Sequence, residues 1–231
     1  MQEEVLDGIV INVQDYKDST KLLTILSGDG KKLVNAKGIN KSTSKLKAVA
    51  NVFCFAEFSL LTKNKTTLVG ANLYDSFFAL SSNYKNYVTS CAIVDLVNKT
   101  TDDDTILKQL FLPCVNSIKD LCYGNNNPLL YLNAFLVKYL SICGYKLNTS
   151  TCSNCSKTLT EFYFNPYDAS ILCQDCKLPH CNKFTNEQIA FIENKQKGDT
   201  LSHESLLHIT KNLANAIFCL TGIKLKIDYL L

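Results

Sequence analysis

Two cysteine pairs constrain this chain more than any other feature. Cys152-x2-Cys155 is followed, after seventeen residues, by Cys173-x2-Cys176. Each pair can present two thiolates from one tight turn, and two such turns facing each other close a tetrahedral four-sulfur site with no open position for chemistry. That is the geometry of structural zinc. Residues 162–164 read as a short strand, the Asn-Pro-Tyr-Asp of residues 165–168 as a turn, and residues 170–172 as a returning strand. A hairpin therefore separates the pairs, and residues 150–181 read as a zinc ribbon. One structural Zn2+ on Cys152, Cys155, Cys173 and Cys176 is the expectation. His180 and Cys181 lie close enough in sequence to substitute for a ligand. A redox dithiol is the competing reading, but a redox CxxC opens a helix in a βαβ setting, and neither pair does so.

The other cysteines suit a reducing compartment. With the four of the two pairs the total is eleven, an odd number that argues against a disulfide framework. The chain opens Met-Gln-Glu-Glu, without the basic-then-apolar layout of an export signal. No apolar run reaches the ~18 residues of a membrane span. A cytoplasmic protein with no membrane partner is expected. Cys54, Cys91, Cys114, Cys143 and Cys219 fall in apolar segments and read as core filler. Formal charge is +3, and zinc bound by four thiolates would lower it to about +1. Any case for nucleic acid must rest on local charge. All 24 basic residues are lysine, a point charge that meets phosphate but lacks the planar fork that reads guanine edges.

Residues 1–75 carry strand patterns at 5–13, 21–26, 31–36, 52–61 and 66–73, joined by turns and one polar loop at 38–47. Five strands in so short a span suit a small closed barrel, with the OB-fold the natural candidate and an SH3-like barrel or small sandwich the alternative. From residue 76 to 231 the period becomes helical. Residues 84–98 form one helix. Asp102, Asp103 and Asp104 would complement the N-terminus of a second, which Pro113 should kink or split. Pro128 opens a third, with Leu132, Phe135, Leu136, Tyr139, Leu140 and Cys143 in one stripe, and Gly144 closes it. After the ribbon, Thr185 to Gln188 is a capping box. Ser202 caps a last helix whose Leu206, Ile209, Leu213, Ile217 and Leu220 face inward. The expected fold is α+β and multidomain: an OB barrel (1–75), then a helical domain (76–231) with the ribbon inserted.

Between Gly30 and Ala56 there is no acidic residue, yet Lys31, Lys32, Lys37, Lys41, Lys45 and Lys47 all lie there. Interleaved Asn and Ser/Thr side chains can also donate to phosphate oxygens. On strand three and the loop after it, such lysines can form a groove that follows a phosphate backbone without reading sequence. The bland reading is a solvated lysine loop. Tyr16, Phe53, Phe55 and Phe58 could offer stacking surfaces, although Phe53 and Phe55 read better as barrel filling. No Walker loop, GxSxG or HExxH occurs, and the three histidines do not form a catalytic or metal set. An enzyme is not expected.

The chain resembles the bacterial RecO recombination mediators over nearly its whole length. The residues that carry the likeness are Asp15-Tyr16-Lys17-Asp18-Ser19 in the first turn, Ala36-Lys37-Gly38 with Lys41-Ser42, Gly144-Tyr145, the four cysteines, and Phe164-Asn165-Pro166 between the pairs. It departs from that pattern at Asp18, where Glu is usual, at Ser156, where Gly is common, and at Ala169-Ser170, where Gly-Gly is common; it also lacks arginine. The resemblance implies an accessory factor in DNA repair and recombination at the bacterial nucleoid. Such a factor binds and anneals single- and double-stranded DNA without sequence specificity. It works with RecR, often with RecF, to load RecA onto DNA coated by single-strand-binding protein. The alternative is a zinc-dependent protein-interaction adaptor without intrinsic DNA binding.

Overall fold

The computed structural model describes residues 2–16, 20–39, 45–101, 103–194 and 201–227, and only the backbone of Lys45. The chain forms two compact units, 1–124 and 125–231. The sequence boundary at 75/76 marks where strands give way to helices. The compact division falls later, because the first two helices bury their apolar faces against the strands.

In the first unit β1 (Gln2–Asp15), β2 (Thr20–Ser27), β3 (Gly30–Lys37), β4 (Phe55–Thr62) and β5 (Thr66–Asp75) close into a barrel in the order β1-β2-β3-β5-β4. This is the OB topology. β3 and β5 meet in parallel, and the other neighbours are antiparallel. Closure follows from β1, which pairs with β4 along its first half and with β2 along its second. A register shift between Val10 and Asn12 lets one strand turn that corner. Side chains alternate, and Leu6, Val10, Leu23, Ile25, Val34, Ala36, Ala56, Phe58 and Leu60 fill the interior. A 3-10 turn, Lys45–Val49, adds Val49 to that core.

Helix α1 (Tyr84–Lys99) packs on β1, and α2 (Asp104–Tyr123) packs on β2 and β3. Three sequence expectations are corrected here. β4 begins at Phe55, not residue 52. Phe53 has φ 75°, its N–H donates to the Val10 carbonyl at 2.8 Å, and the Val10 N–H donates to the Cys54 carbonyl at 2.9 Å. The same turn settles the aromatics. Phe58 lies inside the barrel, while Phe53 meets Tyr87 on α1 and Phe55 meets Phe111 on α2. Pro113 does not split α2, which runs unbroken through it. Buried residues on both sides, Leu107, Leu110 and Phe111 before it and Cys114, Val115, Ile118 and Leu121 after it, hold the helix together. Their burial outweighs the ~3 kcal/mol of an interior proline.

The second unit holds α3 (Pro128–Ile142), β6 (Phe162–Asn165), β7 (Ser170–Leu172), β8 (Asn182–Phe184), α4 (Asn186–Ile192) and α5 (His203–Thr221). Pro128 occupies the first turn of α3, where its missing N–H costs nothing. Gly144, at φ 92°, ends it. The Tyr145 N–H reaches back to the Leu140 carbonyl at 2.8 Å and the Gly144 N–H to Ser141 at 3.2 Å, a Schellman closure. The Thr185–Gln188 capping box and the Ser202 cap both form. α3 packs on α5. Cys114 and Cys54 are buried, Cys91 and Cys143 half-buried. Cys219 is exposed, on the solvent side of α5, against expectation. Among the described residues no helix is long and apolar enough to cross a membrane.

Candidate metal centre and nucleic-acid interface

The ribbon is a three-stranded sheet ordered β7-β6-β8. Tyr163 pairs with Leu172 and Asn165 with Ser170, as the hairpin between the cysteine pairs requires. The third strand, β8, lies beyond the second pair. Residues 182–184 are too short to show a period, but their alternation places Phe184 inside, stacked on Phe164 with ring centroids 5.3 Å apart. The two turns, residues 153–155 and 174–176, then face each other.

Their four sulfurs lie within 4.8 Å of one another. Cys155 Sγ and Cys173 Sγ are 3.8 Å apart. A tetrahedron with ~2.3 Å metal–sulfur bonds has edges of about 3.8 Å, so the spacing fits a metal and not a disulfide bond. Burial would raise the Cys152 thiol, but backbone N–H groups of Cys155, Cys173 and Asn154 outweigh it and bring it down to about 6. At Cys176 the Asn154 amide favours the thiolate, yet the neighbouring thiols of Cys155 and Cys173 win and push it up to about 11. Four such sulfurs cannot all ionise without a cation among them. The structure brings together all four predicted ligands. His180 lies apart, with Nε2 3.0 Å from Asn165 Oδ1 and its ring edge-on to Tyr167. Cys181 Sγ accepts the Leu178 N–H.

Two of the lysines of residues 31–47 have partners within the fold. Lys31 Nζ donates to the carbonyls of Asn98 (3.1 Å) and Thr100 (2.9 Å) at the C-terminus of α1. Lys32 pairs with Glu4 of β1. Lys37 and Lys47 are exposed, Lys41 lies outside the described residues, and the side chain of Lys45 is not described. Lys37 stands at the end of β3, paired with Thr20, beside the seam where Asn35 meets Thr67. Further lysines, outside the acid-free run, lie on β2 and on the β4–β5 hairpin. Lys21 sits opposite Ala36 on the start of β2. Lys63 and Lys65 project from the β4–β5 hairpin that leads into Thr67. Lys65 Nζ lies 5.7 Å from the centre of the Tyr16 ring, on the β1–β2 connection. The Lys63-Asn64-Lys65 turn was a visible signal, but its approach to Tyr16 appears only in the closed barrel. The aspartate triplet caps a helix: Asp103 accepts the Thr105 N–H at 2.8 Å, and Asp102 lies outside the described residues.

A closed OB barrel with lysines around its β3–β5 seam, helices packed on its flank, and a four-thiolate ribbon set among further helices define an OB-fold protein with a candidate structural metal centre. Comparison with known proteins narrows this. Residues 1–76 match the family described as Recombination protein O N terminal, and residues 81–192 match Recombination protein O C terminal. The chain belongs to the RecO family of DNA repair proteins. Among its relatives is DNA repair protein RecO of Halalkalibacterium halodurans, 30% identical over 78% of this chain and 72% of that protein. The protein of the same name from Caldicellulosiruptor saccharolyticus is 26% identical over 91% and 86%. That of Streptomyces avermitilis is 25% identical over 75% and 74%.

Proposed function

We propose that this chain is a DNA-handling recombination mediator that holds single and double strands by their phosphates along the β3–β5 seam of the barrel. The observation that carries the reading is Lys65 Nζ over the Tyr16 ring, which joins the β4–β5 hairpin to the β1–β2 connection, with exposed Lys63 on the same hairpin and exposed Lys37 at the end of β3, opposite the start of β2. In OB barrels the β1–β2 and β4–β5 connections flank the face that takes oligonucleotides, and these residues sit on both. Lys47 extends the same charge beyond β3. Lys31 and Lys32, held by the α1 C-terminus and by Glu4, serve the fold and not the phosphate contacts. Lysine contacts neutralise two backbones without reading bases, so complementary strands approach and anneal. The likeness to RecO supports the remaining steps. The chain acts with RecR, with or without RecF, in the bacterial cytoplasm, and helps load RecA where single-strand-binding protein coats the DNA. One Zn2+ on Cys152, Cys155, Cys173 and Cys176 supplies structure only.

The test is a titration with an oligothymidine strand at two salt concentrations. Four or so phosphate contacts give a log–log slope of about −3. Lys37→Glu with Lys65→Glu should weaken binding at least tenfold for every sequence, whereas Lys31→Gln should lower stability and leave affinity nearly unchanged. A wild-type affinity that is negligible or indifferent to salt overturns the reading and leaves the zinc-dependent adaptor.

A further inference from the structure

The two cysteine turns hold each other by bonds that cross between them. The Cys173 N–H donates to Cys152 Sγ at 3.4 Å, so the second turn serves the first. In return the side-chain amide of Asn154, at the tip of the first turn, donates to Cys176 Sγ in the second, also at 3.4 Å. The backbone N–H of Asn154 points at Cys152. One exposed residue thus serves two sulfurs, one on each turn. The four thiolates are not equally provided for. Cys152 is buried and has backbone donors from Cys155, Cys173 and Asn154. Cys176 is half-buried, and among the described residues its donor is the Asn154 amide.

We propose that Asn154 is a positioning residue for the metal centre: its amide latches Cys176 across the site and sets how long the ribbon retains its zinc. This rests on the four cysteines holding zinc. An N–H···S bond draws charge from a thiolate that already shares a crowded site with three others, and it fixes the direction of the lone pair that meets the metal. Removing it leaves four ligands in place but frees one of them to swing away. The residue is one of the two spacer positions of the first pair, and Cys-x2-Cys spacing alone does not specify what stands there. Ser, which keeps a shorter donor, should retain part of the effect. Asp, which turns a carboxylate toward a thiolate, should be worse than Ala.

The experiment uses the zinc-loaded full chain and a chromogenic chelator. Asn154→Ala should release zinc about tenfold faster than wild type, the lower end for loss of an outer-shell partner. Asn154→Ser should fall between them, and Asn154→Asp should be the fastest. Two readouts separate this from a general loss of fold. In the cobalt-substituted protein, the thiolate-to-metal charge-transfer band should shift in Asn154→Ala. Alkylation followed by peptide mapping should label Cys176 ahead of Cys152 in the variant, while melting of the metal-free proteins stays the same. Release within twofold of wild type with an unchanged cobalt band overturns the proposal. So does a variant whose faster release is matched by an equal loss of stability without metal. A wild-type chain that holds no zinc removes the metal reading itself.

Discussion

At the scale of single residues, two positions show how local geometry commits the chain. Gly30 opens β3 with φ 106°, and a Cβ there would sit 2.7 Å from Asp104 Oδ1 at the start of α2. Gly30→Ala meets both a left-handed backbone that L side chains resist and a blocked approach, so a loss of about 1–3 kcal/mol is expected in urea unfolding. His208 is committed by its neighbours. Gln188 turns its Oε1 to the Thr185 N–H in the capping box, which leaves its amide nitrogen facing His208 Nδ1 at 3.2 Å. Nδ1 must therefore accept, and the ring must be neutral. Burial lowers its pKa from the ordinary value near 6.5. Because the folded pKa lies below the unfolded one, the unfolded chain binds more protons in that window. The stabilisation is full above about pH 6.5 and is lost as pH falls through it. Thermal melts at pH 7.5 and 5.5 should show a smaller acid loss in His208→Phe than in wild type. The cysteine ligands protonate equally in both proteins, so the difference isolates the histidine.

Among elements, α2 shows a local rule yielding to packing. Pro113 removes the N–H that would bond the Gln109 carbonyl, yet seven buried side chains keep the helix continuous. Pro113→Ala restores that bond, and a gain of about 1–2 kcal/mol in denaturant unfolding is expected. A loss would show that the proline ring itself is packed. The same contrast marks what the sequence could reveal. Strands and helices with a strong period were legible, and so were caps, because Thr185, Gln188 and Ser202 act on backbone a few residues away. The four-cysteine cluster was legible for the same reason, since each pair lies within one turn. The lysine surface was not. A run without acids picked out Lys31 and Lys32, whose partners Asn98, Thr100 and Glu4 are distant in sequence. The approach of Lys65 to Tyr16 joins segments about fifty residues apart and is made only by the folded barrel. β8 is three residues long and shows no period, and Phe53 leaves the strand through a backbone conformation that no pattern of apolar residues encodes.

For the molecule as a whole, the division after Gly124 separates what zinc should stabilise from what should hold DNA. The metal ligands all belong to the unit 125–231, and the seam lysines all belong to the unit 1–124. Ribbon strands of three or four residues cannot hold a sheet by backbone bonds alone. Their core of Phe164, Ile171 and Phe184 is small, and a metal fixing the four cysteines at one end would add to its stability. The affinity of that site for zinc would be folding free energy, and Cys173→Ser would discard a large part of it while leaving every barrel contact intact. The expected outcome is therefore split. Calorimetry of Cys173→Ser should show a melting temperature lowered by several degrees and poorer solubility, while the affinity for an oligothymidine strand at low temperature stays within about threefold of wild type. The reverse charge substitution, Lys37→Glu with Lys65→Glu, should weaken DNA binding without moving the metal content. If Cys173→Ser kept its melting temperature, the ribbon would owe nothing to a metal. If it lost DNA binding while its barrel stayed folded by circular dichroism, the ribbon itself would belong to the binding surface, and the proposed seam would no longer account for the affinity alone.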